Sequence, residues 1–271
     1  MLTDKNVAIL GTGMMGQALG MGLVNAGVID RDRVRGTVKH ESERDAVAGK
    51  VDFAVGTDNA EAARGADVVL LCVKPKTAAS LVGELVAAGA LDHEPLIISI
   101  CAGVTIATLE DASNGKARVI RAMPNTPCRI GEGMTAVAGG SRATDDDIDS
   151  ALEIFHTLGR ALVIDEEHMN TVTGLSGSGP AFVYVIIEAL AEGGVMMGLP
   201  RTVATELAAQ TVKGAARMVL ETGRHPAALK DDVTTPAGCT ISALLALEDG
   251  RLRSVLARGV QEAARSAAGL G

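Results

Sequence analysis

Short apolar runs alternate with amphipathic stretches over roughly the first two-thirds of the chain. The runs Val7–Gly11, Val34–Val38, Asp67–Val73, Pro95–Cys101, Arg118–Met123, Met134–Ala138 and Ala161–Ile164 predict strands, with a short further one at Val51–Val55. Between them, Met14–Ala26, Asn59–Arg64, Thr77–Ala88 and Asp145–Leu158 repeat apolar residues at helical spacing. Strands alternating with helices predict a doubly wound, mostly parallel sheet, an α/β Rossmann arrangement. Asp67–Val73 reads as its central strand, because a strand covered on both faces is apolar throughout.

The pattern changes near Asp165. Thereafter only helical periodicity is found, at Ala181–Met197, Arg201–Glu221, Thr240–Leu247 and Leu252–Ala268. Pro200 is placed to start the second of these helices. The expected organisation is a dinucleotide-binding Rossmann domain over 1–164, followed by an all-helical domain over 165–271 that serves dimerisation and substrate binding. The second half is small and strongly apolar, which suits pairing with another copy of the chain. Pro180–Leu199 approaches the length of a membrane span, but Glu188, Glu192, Gly193 and Gly194 interrupt it. Carboxylates in mid-span are costly in lipid, so a helix buried against other helices is expected, with no membrane partner.

Composition narrows the chemistry. The 271 residues are 47% hydrophobic but only 1% aromatic, so the core must be aliphatic. With a net charge of -8 and no block of Lys and Arg, no nucleic-acid partner is expected. The cysteines Cys72, Cys101, Cys128 and Cys239 are widely spaced, with no metal or disulfide pattern. The first residues carry no apolar signal segment, and a reducing cytoplasm is the expected location.

Gly11-Thr12-Gly13-Met14-Met15-Gly16 follows a strand and opens a helix, the context that gives a glycine fingerprint meaning. Gly11 permits the tight turn, Gly13 close approach of a pyrophosphate, and Gly16 helix–strand packing. At the end of the second strand stands Lys39, where an NAD site usually has an acid. His40, Ser42 and Arg44 follow. This arrangement favours a 2′-phosphate; a solvated charged turn containing Glu41 and Glu43 is the competing reading. Val73-Lys74-Pro75 and the stiff loop Arg121–Pro127, containing Asn125, lie where a parallel sheet presents ligand-binding loops. Gly174–Pro180, with Ser176, leads into a helix, as does Lys230–Ile241 with Thr235, Gly238, Cys239 and Thr240. Free N–H groups at such a helix start suit a carboxylate. No acidic pair, nucleophile pattern or metal cluster is apparent, so no metal is expected.

In order and spacing, these motifs resemble the pyrroline-5-carboxylate reductase family. The resemblance runs from Val7 to about Ala264. RAMPNTP, GLSGSGPAF and LKDDVTTPAGCTISALLALEDG carry most of its specificity. Where the family usually has Ser-Pro-Gly-Gly-Thr-Thr, this chain has Thr235-Pro236-Ala237-Gly238-Cys239-Thr240, so Ala237 and Cys239 depart from the pattern.

The resemblance implies reduction of the cyclic imine of L-1-pyrroline-5-carboxylate to L-proline by NADPH, with NADH an alternative donor. It makes Thr240 the catalytic hydroxyl beside the ring nitrogen. Thr235, the Gly238 and Cys239 N–H groups, Thr240 and Ser176 form the substrate set. The cofactor set is Gly11, Thr12, Gly13, Met14, Met15, Gly16, Lys39, His40, Asn59, Val73, Lys74, Pro75, Ala102 and Asn125. It further implies a dimer with intertwined helical domains, whose active site joins the Rossmann domain of one chain to the helical domain of the other. Such dimers often assemble into decamers. Two rival readings compete with this one. Hydroxyacid dehydrogenases of related fold use a Lys that Gly177–Val183 lacks, and a non-catalytic NADP-binding regulator would not need the Thr235–Thr240 loop. Thr240 also allows a plain role as cap of the following helix.

Overall fold

The computed structural model describes residues 2–269. Met1, Leu270 and Gly271, at the outer ends of the two expected domains, lie outside the described residues. In chain order the sheet region contains β1 (Val7–Leu10), α1 (Met14–Asn25), β2 (Val34–Thr37), α2 (Glu41–Ala48), β3 (Ala54–Gly56), α3 (Asn59–Ala63), β4 (Val68–Leu71) and α4 (Pro75–Ala87). It continues through β5 (Leu96–Ser99), α5 (Ile106–Ser113), β6 (Arg118–Met123), β7 (Gly133–Gly139), α6 (Asp145–His156), β8 (Gly159–Val163) and α7 (Met169–Val172). The eight strands form one sheet in the order β3-β2-β1-β4-β5-β6-β7-β8. All neighbours run parallel except β6 and β7, which are antiparallel. The doubly wound, mostly parallel Rossmann sheet expected from the sequence is present.

The register sets up the functional edge. Leu10 lies opposite Thr37 and Leu71, Leu71 opposite Ser99, and Ser99 opposite Arg121. The loops after β1, β2, β4, β5 and β6 therefore emerge along the same edge. Apolar cores cover both faces of the sheet: Leu10, Val69, Leu71, Val82 and Ile97 on one, Ile9, Leu19, Leu70, Ile98 and Phe155 on the other.

Local differences from the sequence reading have physical causes. Val51 and Phe53 are buried, but pairing is confined to Ala54–Gly56. The Phe53 ring takes the space a side chain on Gly20 or Gly36 would fill. The charged stretch after β2 is helical, with Arg44 paired to Glu41 at 2.7 Å and to Asp45 at 3.1 Å. The helix expected from Thr77 starts at Pro75, a residue preorganised for the first helical position. Thr144 caps α6 reciprocally with Asp147, which also binds Arg118 of β6 at 2.9 Å. Burial alone would raise the Asp147 pKa. The Arg118 guanidinium and the Thr144 N–H and hydroxyl overcome this and hold the carboxyl below its ordinary range.

The chain forms two compact units. One runs up to Ser178 and includes the stretch from Gln261, and the other is Gly179–Val260. The sequence reading placed the division at 164/165. Residues 165–178 pack with the sheet. Met169 is buried in its core, and Glu166 accepts from the Ile106 N–H at 2.7 Å and from Arg121 at 3.1 Å.

After α7 come α8 (Gly179–Met196), α9 (Arg201–Thr222), α10 (Pro226–Asp232), α11 (Cys239–Asp249) and α12 (Leu252–Ala268). No strand follows Val163 among the described residues. In the second unit, α8 and α9 meet through small residues, Ala191, Ala204 and Ala208. A β-carbon on Gly194 would lie 3.2 Å from that of Ala204. The burial expected for Pro180–Leu199 is not found within one chain. Only Ala191 of α8 is buried, while Tyr184, Val185, Leu190 and Met196 are exposed. The helical stretch Glu166–Met196, of mean hydropathy 1.4, is long and apolar enough to cross a membrane by length and composition.

Candidate functional site: a cofactor edge and a hydroxyl-rich loop

Three glycines of the first turn play different parts. Gly11 has φ of +95°, and a β-carbon there would sit 2.7 Å from the Cys72 carbonyl oxygen. Only glycine meets both demands. A β-carbon on Gly16 would lie 2.5 Å from the Gly11 oxygen, so Gly16 lets α1 press onto the turn. Gly13 is the contrast, because a β-carbon there would meet nothing within 4 Å. The chain's own packing does not require a glycine at this position. It leaves the start of α1 open, as a pyrophosphate held by first-turn N–H groups needs. Gly13 is itself the cap of α1, without a side-chain bond. Met14 is exposed and Met15 half-buried beside it. The residues thus fit a dinucleotide.

Thr12 and Asn59 belong to a network that fixes the turn. The Thr12 N–H donates to the Thr37 carbonyl at 2.6 Å, and the Gly11 N–H donates to the Thr37 hydroxyl at 3.3 Å. That hydroxyl in turn donates to Asn59 Oδ1 at 2.6 Å. Thr37 was not anticipated. The only available signal was a lone hydroxyl closing an otherwise plain strand.

At the end of β2, Lys39 and His40 are exposed. Arg44 is engaged by Glu41 and Asp45, and Glu41 also accepts from the Thr57 hydroxyl at 2.7 Å. Lys39 enters no ion pair among the described residues, so of the two cations in this turn it is the one at liberty to meet a phosphate. After β4 come Val73 and Lys74, with Lys74 capping α4 and its side chain exposed, then Pro75. Ala102 is half-buried in the loop after β5. Cys72 and Cys101 flank this edge. Burial raises both thiols, so they stay protonated, and the neighbouring Cys101 raises Cys72 further.

Asn125 departs from expectation. The family resemblance placed it in the cofactor set. In the structure Nδ2 donates to the Ser176 carbonyl at 3.0 Å, and Oδ1 accepts from the Met134 N–H at 2.9 Å. Both ends of the amide are engaged by the chain's own backbone. Ser176 lies in a π turn, Thr173–Gly177, closed by the Ser178 N–H donating to the Thr173 carbonyl. Its hydroxyl donates to the Val172 carbonyl at 3.1 Å. Arg121, almost fully buried, binds Glu166 and Asn170 and fixes this segment beside β6.

The hydroxyl-rich loop lies in the second unit. Thr235-Pro236-Ala237-Gly238 is a β-turn closed by the Gly238 N–H donating to the Thr235 carbonyl at 3.0 Å. Pro236 in second place and a positive φ in third are the marks of a type II turn, which favours glycine in third place. Here Ala237 adopts φ of +57°. One implied role is corrected, and one competing reading falls away. The Gly238 N–H closes the turn and is not free to hold a carboxylate. Gly238 matters instead for its missing side chain, since a β-carbon would lie 2.5 Å from the Thr235 hydroxyl. Nor is Thr240 the helix cap: Gly238 is, with no side-chain bond, and α11 begins at Cys239. Thr240 is therefore the second helical residue.

Two other features lie apart from these loops. A cleft of about 740 Å³ opens at the amino-terminal edge of the sheet. Lys5 there pairs with Asp67 and Arg118 with Asp147, and further carboxylates, Asp146 and Asp149 among them, line it as well. Asp165, Glu167 and His168 bring possible ligand atoms within 4.8 Å of one another, but all three residues are exposed.

The fold and its carboxyl edge define an oxidoreductase that takes a nicotinamide dinucleotide. A family profile described as "NADP oxidoreductase coenzyme F420-dependent" matches residues 6–103, and one described as "Pyrroline-5-carboxylate reductase dimerisation" matches residues 166–270. A pyrroline-5-carboxylate reductase of Methanosarcina acetivorans is 41% identical over 270 residues, covering 100% of this chain and 99% of that relative. Among solved structures, the Coxiella burnetii pyrroline-5-carboxylate reductase superposes with a TM-score of 0.91 at 33% identity, covering 99% of each chain. The Plasmodium falciparum pyrroline carboxylate reductase, solved with NADP bound, gives 0.88 at 30% identity over 99% of this chain and 98% of that one. The chain belongs to the pyrroline-5-carboxylate reductase family.

Proposed function

We propose that the chain reduces the C=N bond of L-1-pyrroline-5-carboxylate to give L-proline, with NADPH as the preferred donor. What supports this reading is that the same chain carries an open Gly13 turn in its first unit and, in its second, a Thr235–Thr240 loop whose Thr240 hydroxyl is not a helix cap.

A bound nicotinamide supplies the hydride. The chain's residues position and polarise the acceptor. A protonated cyclic imine already accepts a hydride at carbon: the C–H bond forms as the C=N π pair moves onto nitrogen as its lone pair, and the C–N single bond remains. No strong acid or base is needed, only orientation and exclusion of water. The Cys239 N–H and those that follow it at the start of α11 suit the substrate carboxylate. Thr235 adds a hydroxyl, and Thr240 hydrogen-bonds the ring nitrogen. Neutral donors of this kind hold an anion without neutralising the imine's charge. Lys39, left free by the Arg44 pairs, supports the 2′-phosphate.

The exposed apolar face of α8 and α9 supports a homodimer formed through the helical unit. Exposed patches of this kind mark protein interfaces, and Glu188 and Glu192 make lipid a poor setting for α8. Four free cysteines suit a reducing cytoplasm.

Purified protein mixed with the imine and NADPH tests the reading. The expected result is NADPH oxidation that depends on the imine, with L-proline formed mole for mole. Cofactor binding without turnover of the imine at any pH tried would refute it.

A further inference from the structure

We infer that Asn125 is a positioning residue, a two-ended clamp that holds the π turn Thr173–Gly177 in place at the carboxyl edge of the sheet. A π turn widens the helix by one residue and leaves carbonyls without their usual partner. Here the Ser178 N–H bonds back to Thr173, and the Ser176 carbonyl is taken by Asn125 Nδ2 at 3.0 Å. The other end of the same amide accepts the Met134 N–H at 2.9 Å, at the start of β7.

Its orientation is not in doubt, because a carbonyl can only accept and a backbone N–H can only donate. The amide therefore ties the loop after β6 both to the start of β7 nearby in sequence and to the distant π turn. Its own backbone is fixed by the Cys128 N–H, which donates to the Asn125 carbonyl at 3.1 Å. Close packing seals the contact: a β-carbon on Gly177 would approach the Met123 methyl to 3.0 Å. The clamp sets where Ser176 stands, and Ser176 is the first unit's contribution to the proposed substrate set. This consequence rests on that substrate reading.

Asn125→Asp tests the clamp. The anion keeps the bond to Met134 but turns an acceptor against the Ser176 carbonyl. Protonated, the same group donates to Ser176 and restores both bonds. Loss of solvent and the facing carbonyl both raise its pKa. Titratable neighbours on the same turn, Cys128, Arg129 and Glu132, and Arg160 of β8 opposite Met134, are common to variant and wild type, so the ratio of the two isolates the new carboxyl.

The ratio of variant to wild-type kcat/KM for the imine should fall by on the order of tenfold between about pH 5.5 and about pH 8, with NADPH affinity kept. A ratio flat across that range would overturn the clamp. Should that variant not fold, Asn125→Ala serves. It loses both bonds without adding charge, and its KM for the imine should rise by on the order of tenfold. Normal kinetics in Asn125→Ala would also overturn the inference. Ser176→Ala tests the substrate reading separately. Unchanged imine kinetics there would remove Ser176 from the site; the clamp is then read from the melting temperature of Asn125→Asp relative to wild type, which should fall as pH rises from about 5.5 to about 8, and a difference flat across that range would overturn it.

Discussion

Thr240→Ala separates a structural from a chemical role, because the structure assigns the helix cap to another residue. Gly238 caps α11 without any side-chain bond, and Thr240 is the second helical position. Loss of a Thr cap would cost about 1 kcal/mol. Here no cap is lost, and Ala is the better helix former by up to about 0.5 kcal/mol. In a chain of this size such a gain moves the melting temperature by no more than about 2 °C, upward if at all. Turnover should behave differently. A hydrogen bond from the iminium N–H to the Thr240 hydroxyl, which orients the imine for hydride transfer, is worth about 1.5–3 kcal/mol, which corresponds to roughly ten- to hundredfold in turnover. The assay is imine-dependent loss of NADPH absorbance, normalised to folded protein, beside thermal unfolding of the same sample. Thr240→Ser keeps the hydroxyl and should regain most of the rate. Normal turnover in Thr240→Ala, or a melting temperature lowered by several degrees with unchanged kcat, would refute the assignment.

Lys39→Ala should raise KM for NADPH by on the order of tenfold and leave KM for NADH nearly unchanged, since only NADPH carries the phosphate; equal effects on both donors would exclude Lys39 as its reader. Ala237→Gly should raise stability by about 1 kcal/mol in chemical denaturation, because a left-handed backbone costs alanine and not glycine. Asp147→Asn should cost about 1–3 kcal/mol near neutral pH through the loss of its charged bonds to Arg118 and Thr144. The depressed Asp147 pKa fixes the sign of its pH dependence. The stabilisation is fully present above the unfolded carboxyl's pKa near ~4 and is lost as pH falls through the lower folded value, so wild type and variant should converge in acid.

Much of the fold was legible because it rests on local periodicity. The apolar runs of β1, β4 and β5 and the turn between Gly11 and Gly16 need only their own residues to be read. What escaped depends on packing or distant partners. The helix α2 has no buried residue and so no apolar stripe to show. The strand β3 is three residues long, and its neighbours Val51 and Phe53 are buried without pairing. Asn125 read as a ligand residue because its partners, Met134 and Ser176, are backbone groups that any residue would supply. The Gly238 N–H was assigned to substrate by the family resemblance; Pro236 signals a turn, but the residues alone do not show that it closes on Thr235. The apolar face of α8 was legible as apolar, but its periodicity cannot say whether the covering surface belongs to the same chain.

Hydride transfer itself gives the most direct test. NADPH carrying deuterium at both positions of nicotinamide C4 is incubated with the purified protein and L-1-pyrroline-5-carboxylate, and the product is weighed by mass spectrometry. The account predicts L-proline one mass unit heavier, with the deuterium on the former imine carbon. Unlabelled proline, or consumption of the cofactor with no proline formed, would contradict it.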